Sequence, residues 1–309
     1  MNMSEPPMAA LRGVLRENEP MSRHVTWRAG GRARWFYQPA DVLDLAAFLA
    51  SRDAAEPVMF VGLGSNLLVR DGGFPGVVVF THHALIGIEV ESEVATSTGS
   101  LKFRAGAGVP SPHLARFVAK HGGAGAEWLA GVPGTIGGAL AMNAGCYGGE
   151  TWNHVVAVET VDRAGKLRHR TAADYELGYR HVAAKHGVEG WFVSAVFGFQ
   201  PGEERAAMER IKELLQKRVA SQPLNLPNAG SVFRNPPGDH AARLIESCGL
   251  KGFTVGGAQV STKHANFIVN LDGASAKDIE TVVRHVHDTV LQRTGIDLVL
   301  EVRIVGDAA

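Results

Sequence analysis

Two glycine-rich segments of the chain have the residue types of an anion-binding site. The first, "GLGSNLLVRDGG", covers residues 62–73, and the second, "GVPGTIGGALAMNAGCYGGE", covers residues 131–150. Glycine adopts backbone conformations that other residues avoid, and it lets a ligand approach the main chain. Successive free N–H groups in such turns form concavities that bind anions, and Ser65, Asn66 and Thr135 add short side-chain donors. We expect these two loops to hold a diphosphate between two domains.

Two common nucleotide-binding motifs are excluded for these loops. The spacing Gly62-x-Gly64 matches the start of a Rossmann fingerprint, but Leu67 stands where the third glycine belongs. The residues that follow are typical of a strand and a turn, whereas that fingerprint opens a helix. No glycine run continues into the Gly-Lys-Ser/Thr of a P-loop. The alternative that these glycines serve only turns and close packing stays open.

Three further segments carry side chains suited to carboxylate and proton chemistry. Arg180, in "LGYRHV", offers a planar fork that can bind a carboxylate through two hydrogen bonds. Ser231 follows Gly230 in a turn, where its hydroxyl can project, although turn formation alone is the usual role of such a serine. Strand alternation places Glu301 and Arg303 of "LEVRIVG" on one face. A surface location is the alternative for the arginine, and a surface ion pair is the alternative for the last two residues.

Helices and strands of both periods must position these residues. Caps and apolar spacing predict helices over residues 8–16, 41–52, 111–123, 203–219, 239–249 and 276–295. β-branched and aromatic runs predict strands over 57–62, 76–81, 101–108, 191–200, 264–271 and 297–306, and a hairpin over 154–171 that turns at 164–165. The inward side chains expected on the helix over 203–219 are Met208, Ile211, Leu214 and Leu215.

Composition limits the class of protein. The chain has 309 residues, with 45% hydrophobic and 20% charged residues, as in ordinary globular proteins. Lys plus Arg and Asp plus Glu both number 31, so the balance gives no sign of a nucleic-acid or anionic-membrane partner. Cys146 and Cys248 are too few for a metal cluster or a disulfide framework and are expected to be reduced thiols, typical of the cytoplasm. The histidines lack metal-ligand spacing, and we expect no metal site.

These motifs together resemble those of the UDP-N-acetylenolpyruvoylglucosamine reductase family, which shares its fold with vanillyl-alcohol oxidase and p-cresol methylhydroxylase (PCMH). The similarity extends from "TWRAGGRARWF" near residue 26 to "LEVRIVG" at 300–306. It implies an α+β fold, with a two-subdomain PCMH-type FAD-binding fold and a C-terminal α+β substrate-binding domain. The implied units are an N-terminal extension (1–22), two FAD-binding subdomains (23–84 and 85–202) and a substrate-binding domain (203–309).

The resemblance also implies a cofactor, a reaction and a set of site residues. Non-covalent FAD takes hydride from NADPH and passes it to the enolpyruvyl double bond of a UDP-sugar in peptidoglycan precursor synthesis. Arg180, Ser231 and Glu301 are implied as catalytic, with Ser231 as the acid that protonates an enolate-like intermediate. The implied substrate contacts are Tyr179, Asn235 and His264. The implied cofactor-binding residues are Gly62, Gly64, Ser65, Asn66, Leu67, Val132, Pro133, Gly134, Thr135, Ile136, Gly137, Gly138, Asn143, Gly145 and Arg303.

The sequence departs from the family pattern at two places. Val182 stands where a serine often follows the arginine by two residues, so any hydrogen bond of that serine is not carried over. The segment between Arg180 and Ser231 is too short for the tyrosine-bearing loop of the longer class, so this chain resembles the shorter class. An oxygen-using alcohol or sugar oxidase and a nucleotide-binding module without chemistry stay open as alternatives. The small-molecule partners expected are the UDP-sugar and NADPH, with no obligatory protein partner.

Overall fold

The computed structural model describes residues 11–92 and 99–309, beginning with a four-stranded sheet. The elements of this part are β1 (Val14–Pro20), β2 (Arg32–Gln38), α1 (Val42–Ala50), β3 (Val58–Val61), β4 (Leu67–Val69) and β5 (Phe74–Phe80). The sheet order is β1-β2-β5-β3, with β2, β5 and β3 parallel and β1 antiparallel at the edge. Residues 77–80 of β5 are all buried, as expected for a central parallel strand covered on both faces.

The prediction of a helix over residues 8–16 is wrong for its described part, because β1 begins at Val14. Residues 8–10 lie outside the described residues. Gly13 lies so close to β2 that an added Cβ would be 2.5 Å from the carbonyl oxygen of Gln38. Glycine also weakens a short helix, whereas strand pairing satisfies the open edge of β2. The edge of the sheet therefore decides the conformation of this segment.

Helix α1 forms as predicted, with Asp41 as its cap, and it buries one unexpected charge. The carboxylate of Asp41 accepts from the N–H of Asp44 at 2.8 Å, and Leu45 is fully buried. The side chain of Asp44 is buried as well. It accepts from the hydroxyl of Tyr37 at 2.5 Å and from the backbone N–H groups of Ala40 at 2.9 Å and Arg12 at 2.7 Å. These donors replace the water that the carboxylate loses.

The second part of the chain is built on a six-stranded antiparallel sheet. Its elements are β6 (Ile88–Ser92), β7 (Leu101–Gly106), α2 (Ser111–Lys120), β8 (Gly123–Ala124), α3 (Ile136–Met142), β9 (Gly145–Cys146), β10 (Gly149–Glu150), β11 (Val155–Val161), β12 (Leu167–Arg170), β13 (Tyr175–Gly178), β14 (His181–Ala184) and β15 (Trp191–Pro201). The order is β12-β11-β15-β7-β6, and β8 also pairs with β15. The predicted hairpin over 154–171 is confirmed as β11 and β12, with Gly165 at a positive φ of 78° in its turn.

A separate hairpin, β13 and β14, carries Arg180 at its turn. Gly178 lies opposite His181, so Tyr179 and Arg180 form a two-residue connection. Arg180 has a φ of 52°, a left-handed conformation that is uncommon for a residue with a side chain. Such a conformation persists where surrounding contacts hold it, and the contacts of Arg180 lie in the cleft described below.

The C-terminal part combines three helices with short strands. Its elements are α4 (Glu204–Ser221), α5 (Ala241–Ser247), β16 (Thr254–Val255), β17 (Ala258–Val260), β18 (Ile268–Asn270), α6 (Ala276–Thr294) and β19 (Arg303–Val305). The predicted capping box of Ser275 and Asp278 is present, and Gly295 ends α6 in a left-handed conformation. Within residues 11–92 and 99–309, no helix has both the length and the apolar character needed to cross a membrane.

The last strand is shorter than predicted and joins the two ends of the chain. Regular strand structure begins only at Arg303, because the preceding residues pair irregularly with the segment after Ser231. The N–H of Glu301 donates to the carbonyl oxygen of Val232 at 2.8 Å. Strand β19 then pairs in parallel with β4, with Arg303 opposite Leu67. The C-terminus thus lies beside the first glycine loop.

The N-terminal and C-terminal parts share one hydrophobic core. Trp27 is fully buried among residues of α5, α6 and the short C-terminal sheet. Its indole N–H donates to the carbonyl oxygen of Ile268 at 2.8 Å, and the amide of Asn270 donates to the carbonyl oxygen of Trp27 at 2.9 Å. The α+β class is confirmed, while the division into the four units given above stays a prediction.

Candidate active site

The two glycine loops face each other across a cleft. A Cβ added to Gly62 would lie 2.1 Å from Oγ1 of Thr135, and one added to Gly134 would lie 3.3 Å from Oγ of Ser65. Gly64 packs against the chain at His24, at a positive φ of 59°. The first loop therefore requires glycine at two positions for close packing within the protein, which the alternative of turn and packing glycines also expects.

The first loop leaves a row of backbone donors without protein acceptors. In the described part of the chain, the N–H groups of residues 62–66 make no hydrogen bond to a backbone or side-chain oxygen. The hydroxyl of Thr135 is buried, 1% exposed for the residue, and has no partner among the described residues. Buried polar groups in native proteins are nearly always paired, so these donors fit an anionic ligand such as a diphosphate.

The cleft has a volume of about 560 Å³, within the range of small-molecule and cofactor sites. Most of the predicted cofactor-binding residues line it. Those in its wall are Gly62, Gly64, Ser65, Asn66, Leu67, Val132, Pro133, Gly134, Thr135, Gly138, Gly145 and Arg303. The charged side chains of the wall are Arg180, Arg218, Glu301 and Arg303.

Three predicted cofactor-binding residues lie outside the described lining of the cleft. Ile136 is fully buried and its N–H donates to the carbonyl oxygen of Val109, while the N–H of Gly137 donates to that of Ala107. An added Cβ on Gly137 would be 2.9 Å from the side chain of Ala107. These two residues dock α3 against the chain before α2, and the third, Asn143, has structural hydrogen bonds described below.

Arg180 and Glu301 form an ion pair in the wall of the cleft. Nε of Arg180 lies 2.9 Å from Oε1 of Glu301, and the two side chains are 19% and 15% exposed. The N–H of Nε is not aligned with that oxygen and remains an unpartnered buried donor. Nη2 of Arg180 donates to the carbonyl oxygen of Gly145 at 2.9 Å. The guanidinium thus keeps N–H groups from which a substrate carboxylate could accept hydrogen bonds.

Glu301 is held by its backbone and perturbed by burial. Burial raises the pKa of its carboxyl group above the ordinary value, and the guanidinium groups of Arg180 and Arg234 offset this only in part. A carboxyl group with a raised pKa inside a cleft can hold or transfer a proton closer to neutral pH. Its predicted face-sharing partner, Arg303, is exposed and forms no ion pair with it in the described structure.

Ser231 lies at the cleft with its hydroxyl unengaged among the described residues. It follows Gly230, which has a positive φ of 73° and no heavy atom of a residue other than its chain neighbours within 4 Å of the place where a Cβ would lie. The two residues after it are fixed by Asn266. The carbonyl oxygen of Asn266 accepts from the N–H of Val232 at 2.9 Å, and its side chain exchanges two hydrogen bonds with the backbone of Phe233.

Each of the three candidate catalytic residues is held in place by one asparagine. Asn266 fixes the chain after Ser231. The amide of Asn143 donates to the carbonyl oxygen of Gly178 at 3.0 Å, at the base of the hairpin that carries Arg180. The amide of Asn66 donates to the carbonyl oxygen of Glu301 at 3.0 Å. Asn266 could not be identified from the sequence, because a single asparagine inside a buried strand-like run has no local signature.

The three predicted substrate contacts lie away from the described lining of the cleft. Tyr179 is 49% exposed at the hairpin turn, beside Arg180. The side-chain oxygen of Asn235 accepts from the N–H of Ala241, the first residue of α5. His264 has an unpartnered buried Nδ1, packs on Phe267, and has its pKa lowered by burial. Val182 packs against the hydrophobic core of the second part. This location suits an apolar side chain better than the serine often found there in the family.

Arg218 is a residue of the wall that sequence analysis did not identify. It lies in the last turn of α4. Its position on the apolar face of this helix could have identified it from the sequence. Ile211, Leu214 and Arg218 are three and four residues apart, so they share one helix face. An arginine on the apolar face of an amphipathic helix is out of place in a packed core, and here it reaches the cleft instead.

The fold and the cleft define a flavoprotein of the PCMH type, with a cleft lined by the two glycine loops and completed by the C-terminal part. Residues 33–171 match the FAD binding domain model, and residues 222–305 match the C-terminal domain model of UDP-N-acetylenolpyruvoylglucosamine reductase. The chain belongs to the UDP-N-acetylenolpyruvoylglucosamine reductase family, and its cofactor is FAD. The resemblance stated from the motifs is thereby confirmed.

Relatives and a solved structure match along almost the whole chain. The reductase of Thiobacillus denitrificans is 56% identical over 96% of this chain and 94% of its own length. That of Methylococcus capsulatus is 54% identical over 97% of this chain and 96% of its own length. The crystal structure of the reductase from Thermus caldophilus superposes with a TM-score of 0.79 at 30% identity, covering 96% of this chain and 99% of that one.

Proposed function

We propose that the protein reduces the enolpyruvyl group of UDP-N-acetylenolpyruvoylglucosamine to give UDP-N-acetylmuramate, a step of peptidoglycan precursor synthesis, with NADPH as the hydride donor. The observation that carries this proposal is the convergence of Arg180, Ser231 and Glu301, from three distant segments, on the cleft lined by the glycine loops. Family membership favours this reaction over an oxygen-using oxidase of the same fold and over a binding module without chemistry.

The residues of the cleft fit the cofactor. The free N–H groups of residues 62–66 and the buried hydroxyl of Thr135 are donors suited to the diphosphate of FAD. Arg303, which lies beside the first loop through the pairing of β19 with β4, adds positive charge on the same side. Bound FAD supplies the hydride relay between NADPH and the substrate.

Arg180 binds and stabilises the charge that develops on the substrate. A hydride added to the methylene carbon of the enolpyruvyl group moves the electron pair of the double bond to the neighbouring carbon. The adjacent carboxylate delocalises that charge, so donors aimed at its oxygens act more strongly on the transition state than on the ground state. The guanidinium of Arg180 lies in the wall of the cleft for this contact, and its Nε–H has no aligned acceptor among the described residues.

Ser231 and Glu301 complete the reaction with a proton. The O–H bond of Ser231 breaks as a C–H bond forms at the carbon beside the carboxylate. A serine hydroxyl is a weak acid, so it needs a neighbouring group that returns the proton. Glu301 has a pKa raised by burial, and the hydrogen bond from its N–H to Val232 holds it beside the serine segment. We assign it that role.

The two half-reactions test this function separately. The purified protein is expected to be yellow, to lose flavin absorbance with NADPH in the absence of oxygen, and to regain it when the enolpyruvyl substrate is added. Ser231→Ala should keep flavin and its reduction by NADPH, while reoxidation by substrate slows about 10²- to 10⁴-fold. Ser221→Ala, an exposed serine at the end of α4, is the matched control. A colourless protein that takes up no FAD, or wild-type reoxidation by Ser231→Ala, would contradict the proposal.

The UDP-sugar and NADPH are the proposed small-molecule partners, and we propose a cytoplasmic location. The free thiols of Cys146 and Cys248 support that location, because cytoplasmic proteins keep their cysteines reduced.

A further inference from the structure

Arg218 places a positive charge at the cleft that no carboxylate of the described chain neutralises. Its Nε donates to Oε1 of Gln222 at 3.0 Å, and no Asp or Glu oxygen among the described residues lies within ion-pair distance. Burial lowers the pKa of its guanidinium, while the nearby Cys146 and Tyr147 act in the opposite direction. A buried charge without a partner is costly, whereas a guanidinium that faces a cleft can be completed by a ligand.

The same loop supports Arg218 and Arg180. The carbonyl oxygen of Gly145 accepts from Nη2 of Arg180 at 2.9 Å. Two residues later, the hydroxyl of Tyr147 donates to the carbonyl oxygen of Leu214, one helical turn before Arg218, at 2.9 Å. Cys146, between them, feels the positive charge of both arginines, which opposes the burial that raises the pKa of its thiol. Both guanidinium groups therefore lie on one wall of the cleft.

The two arginines differ in the charged groups beside them. Arg180 lies beside the carboxyl group of Glu301, which offsets its positive charge whenever Glu301 is ionised, whereas Arg218 has no carboxylate neighbour among the described residues. The proposed reaction adds a negative charge to a substrate group that is already a carboxylate. A second guanidinium without a carboxylate partner would balance the charge that the first pair cannot.

Resting on the proposed function, we propose that Arg218 binds the carboxylate of the enolpyruvyl group together with Arg180. The planar guanidinium of an arginine can donate two parallel hydrogen bonds to the two oxygens of a carboxylate. Gln222, which holds Nε, orients the fork. Arg218 is thus a catalytic residue of the chain that enters from α4, in the C-terminal part.

Binding to the oxidised holoenzyme tests this assignment without turnover. The probes are the enolpyruvyl substrate and UDP-N-acetylglucosamine, which lacks the enolpyruvyl carboxylate, and the readout is titration calorimetry or the shift of flavin absorbance. Arg218→Gln should weaken binding of the enolpyruvyl substrate about 10- to 100-fold and leave binding of UDP-N-acetylglucosamine unchanged. Arg218→Lys, which keeps the charge, should recover part of the loss. Arg205→Gln, on the same helix with a side chain 90% exposed, should change neither.

Other outcomes overturn the assignment in distinct ways. Equal weakening of both ligands would place Arg218 at the diphosphate or nucleotide. Loss of flavin, or slower reduction by NADPH with unchanged substrate binding, would place it at the cofactor. An Arg218→Gln variant that binds both ligands like the wild type would overturn the assignment of Arg218 alone. Failure of the wild-type protein to bind the enolpyruvyl substrate would instead overturn the proposed function.

Discussion

The side-chain amide of Asn66 donates to the backbone carbonyl oxygen of Glu301 over 3.0 Å, and the N–H of Arg303 donates back to the carbonyl oxygen of Asn66 over the same distance. These two bonds connect the first glycine loop to the segment that carries a candidate catalytic carboxylate. Because the N–H of Glu301 also donates to the carbonyl oxygen of Val232, the first glycine loop, Glu301 and the segment of Ser231 form one connected unit. Asn66 therefore links the first glycine loop to the backbone of Glu301 and is also part of the cleft wall.

Asn66→Ala should slow the substrate half-reaction more than the NADPH half-reaction. Loss of one hydrogen bond of about 1 kcal/mol corresponds to roughly a fivefold change in rate if the bond holds the catalytic geometry. Rapid-mixing absorbance at the flavin band measures the two half-reactions separately. Asn153→Ala, at an exposed asparagine, is the control. Equal slowing of both half-reactions, with weaker flavin retention, would show that Asn66 acts only through the cofactor.

Gly62→Ala should separate the two glycine loops and weaken FAD binding. The new Cβ would lie 2.1 Å from Oγ1 of Thr135 and 2.9 Å from its methyl carbon, so one loop must move. The flavin content after gel filtration, and a titration of the apoprotein with FAD, measure the effect. Gly87→Ala is the matched control, because nothing lies within 4 Å of its added Cβ. Normal flavin content in Gly62→Ala would contradict a cofactor held between these loops.

Glu301→Gln should change the pH dependence of stability in a defined direction. Burial, the largest cause, raises the pKa of Glu301 from the ordinary value of 4.5. A raised pKa in the folded protein means that its stabilising contribution is full below pH 4.5 and is lost as the pH rises through the folded value. The free energy of unfolding of the wild type should therefore fall relative to Glu301→Gln as pH increases above 4.5. Denaturant unfolding of both holoproteins at several pH values measures the difference, and a difference that does not change with pH would contradict it.

Asp44→Asn should have the opposite pH signature at the base of α1. Burial alone would raise the pKa of Asp44, but hydrogen bonds from Tyr37, Ala40 and Arg12 hold it below the ordinary 3.8. A lowered pKa stabilises the fold above pH 3.8, and this contribution is lost as the pH falls through the folded value. At neutral pH the substitution should cost about 1 to 3 kcal/mol of unfolding free energy, because buried donors lose their acceptor. Asp53→Asn, an exposed aspartate, is the control, and equal loss in both variants would contradict a special role.

Trp27→Ala should destabilise both ends of the chain together. Trp27 is fully buried in the core built by α5 and α6, and it shares hydrogen bonds with Ile268 and Asn270. Truncation of a buried tryptophan costs about 3 to 5 kcal/mol. Calorimetry should show one transition moving to lower temperature, with flavin release in the same transition. A second transition that stays at the wild-type temperature would show that the N-terminal sheet unfolds independently.

Local patterns in the sequence were sufficient to predict most of the helices and strands and to single out the two glycine loops. Helix α6 was predictable because the capping box at Ser275 and the apolar spacing act within a few residues. The glycine loops could be recognised from their local composition, and residues of both line the cleft, while anion binding by them stays a prediction. The roles of Arg180, Ser231 and Glu301 came from a resemblance, since their spacing along the chain carries no geometry.

Long-range contacts decided the rest. The segment at Val14 is a strand because the edge of β2 needs a partner, a fact that no local pattern contains. Arg180 and Glu301 lie far apart in sequence and become an ion pair only through the parallel pairing of β19 with β4 and the β13–β14 hairpin. In the sequence Arg218 is one residue on a helix face, and only the tertiary structure places it in the wall of the cleft. Residues separated by long stretches of chain meet through packing and strand pairing, and the free energy of those contacts depends on the whole fold.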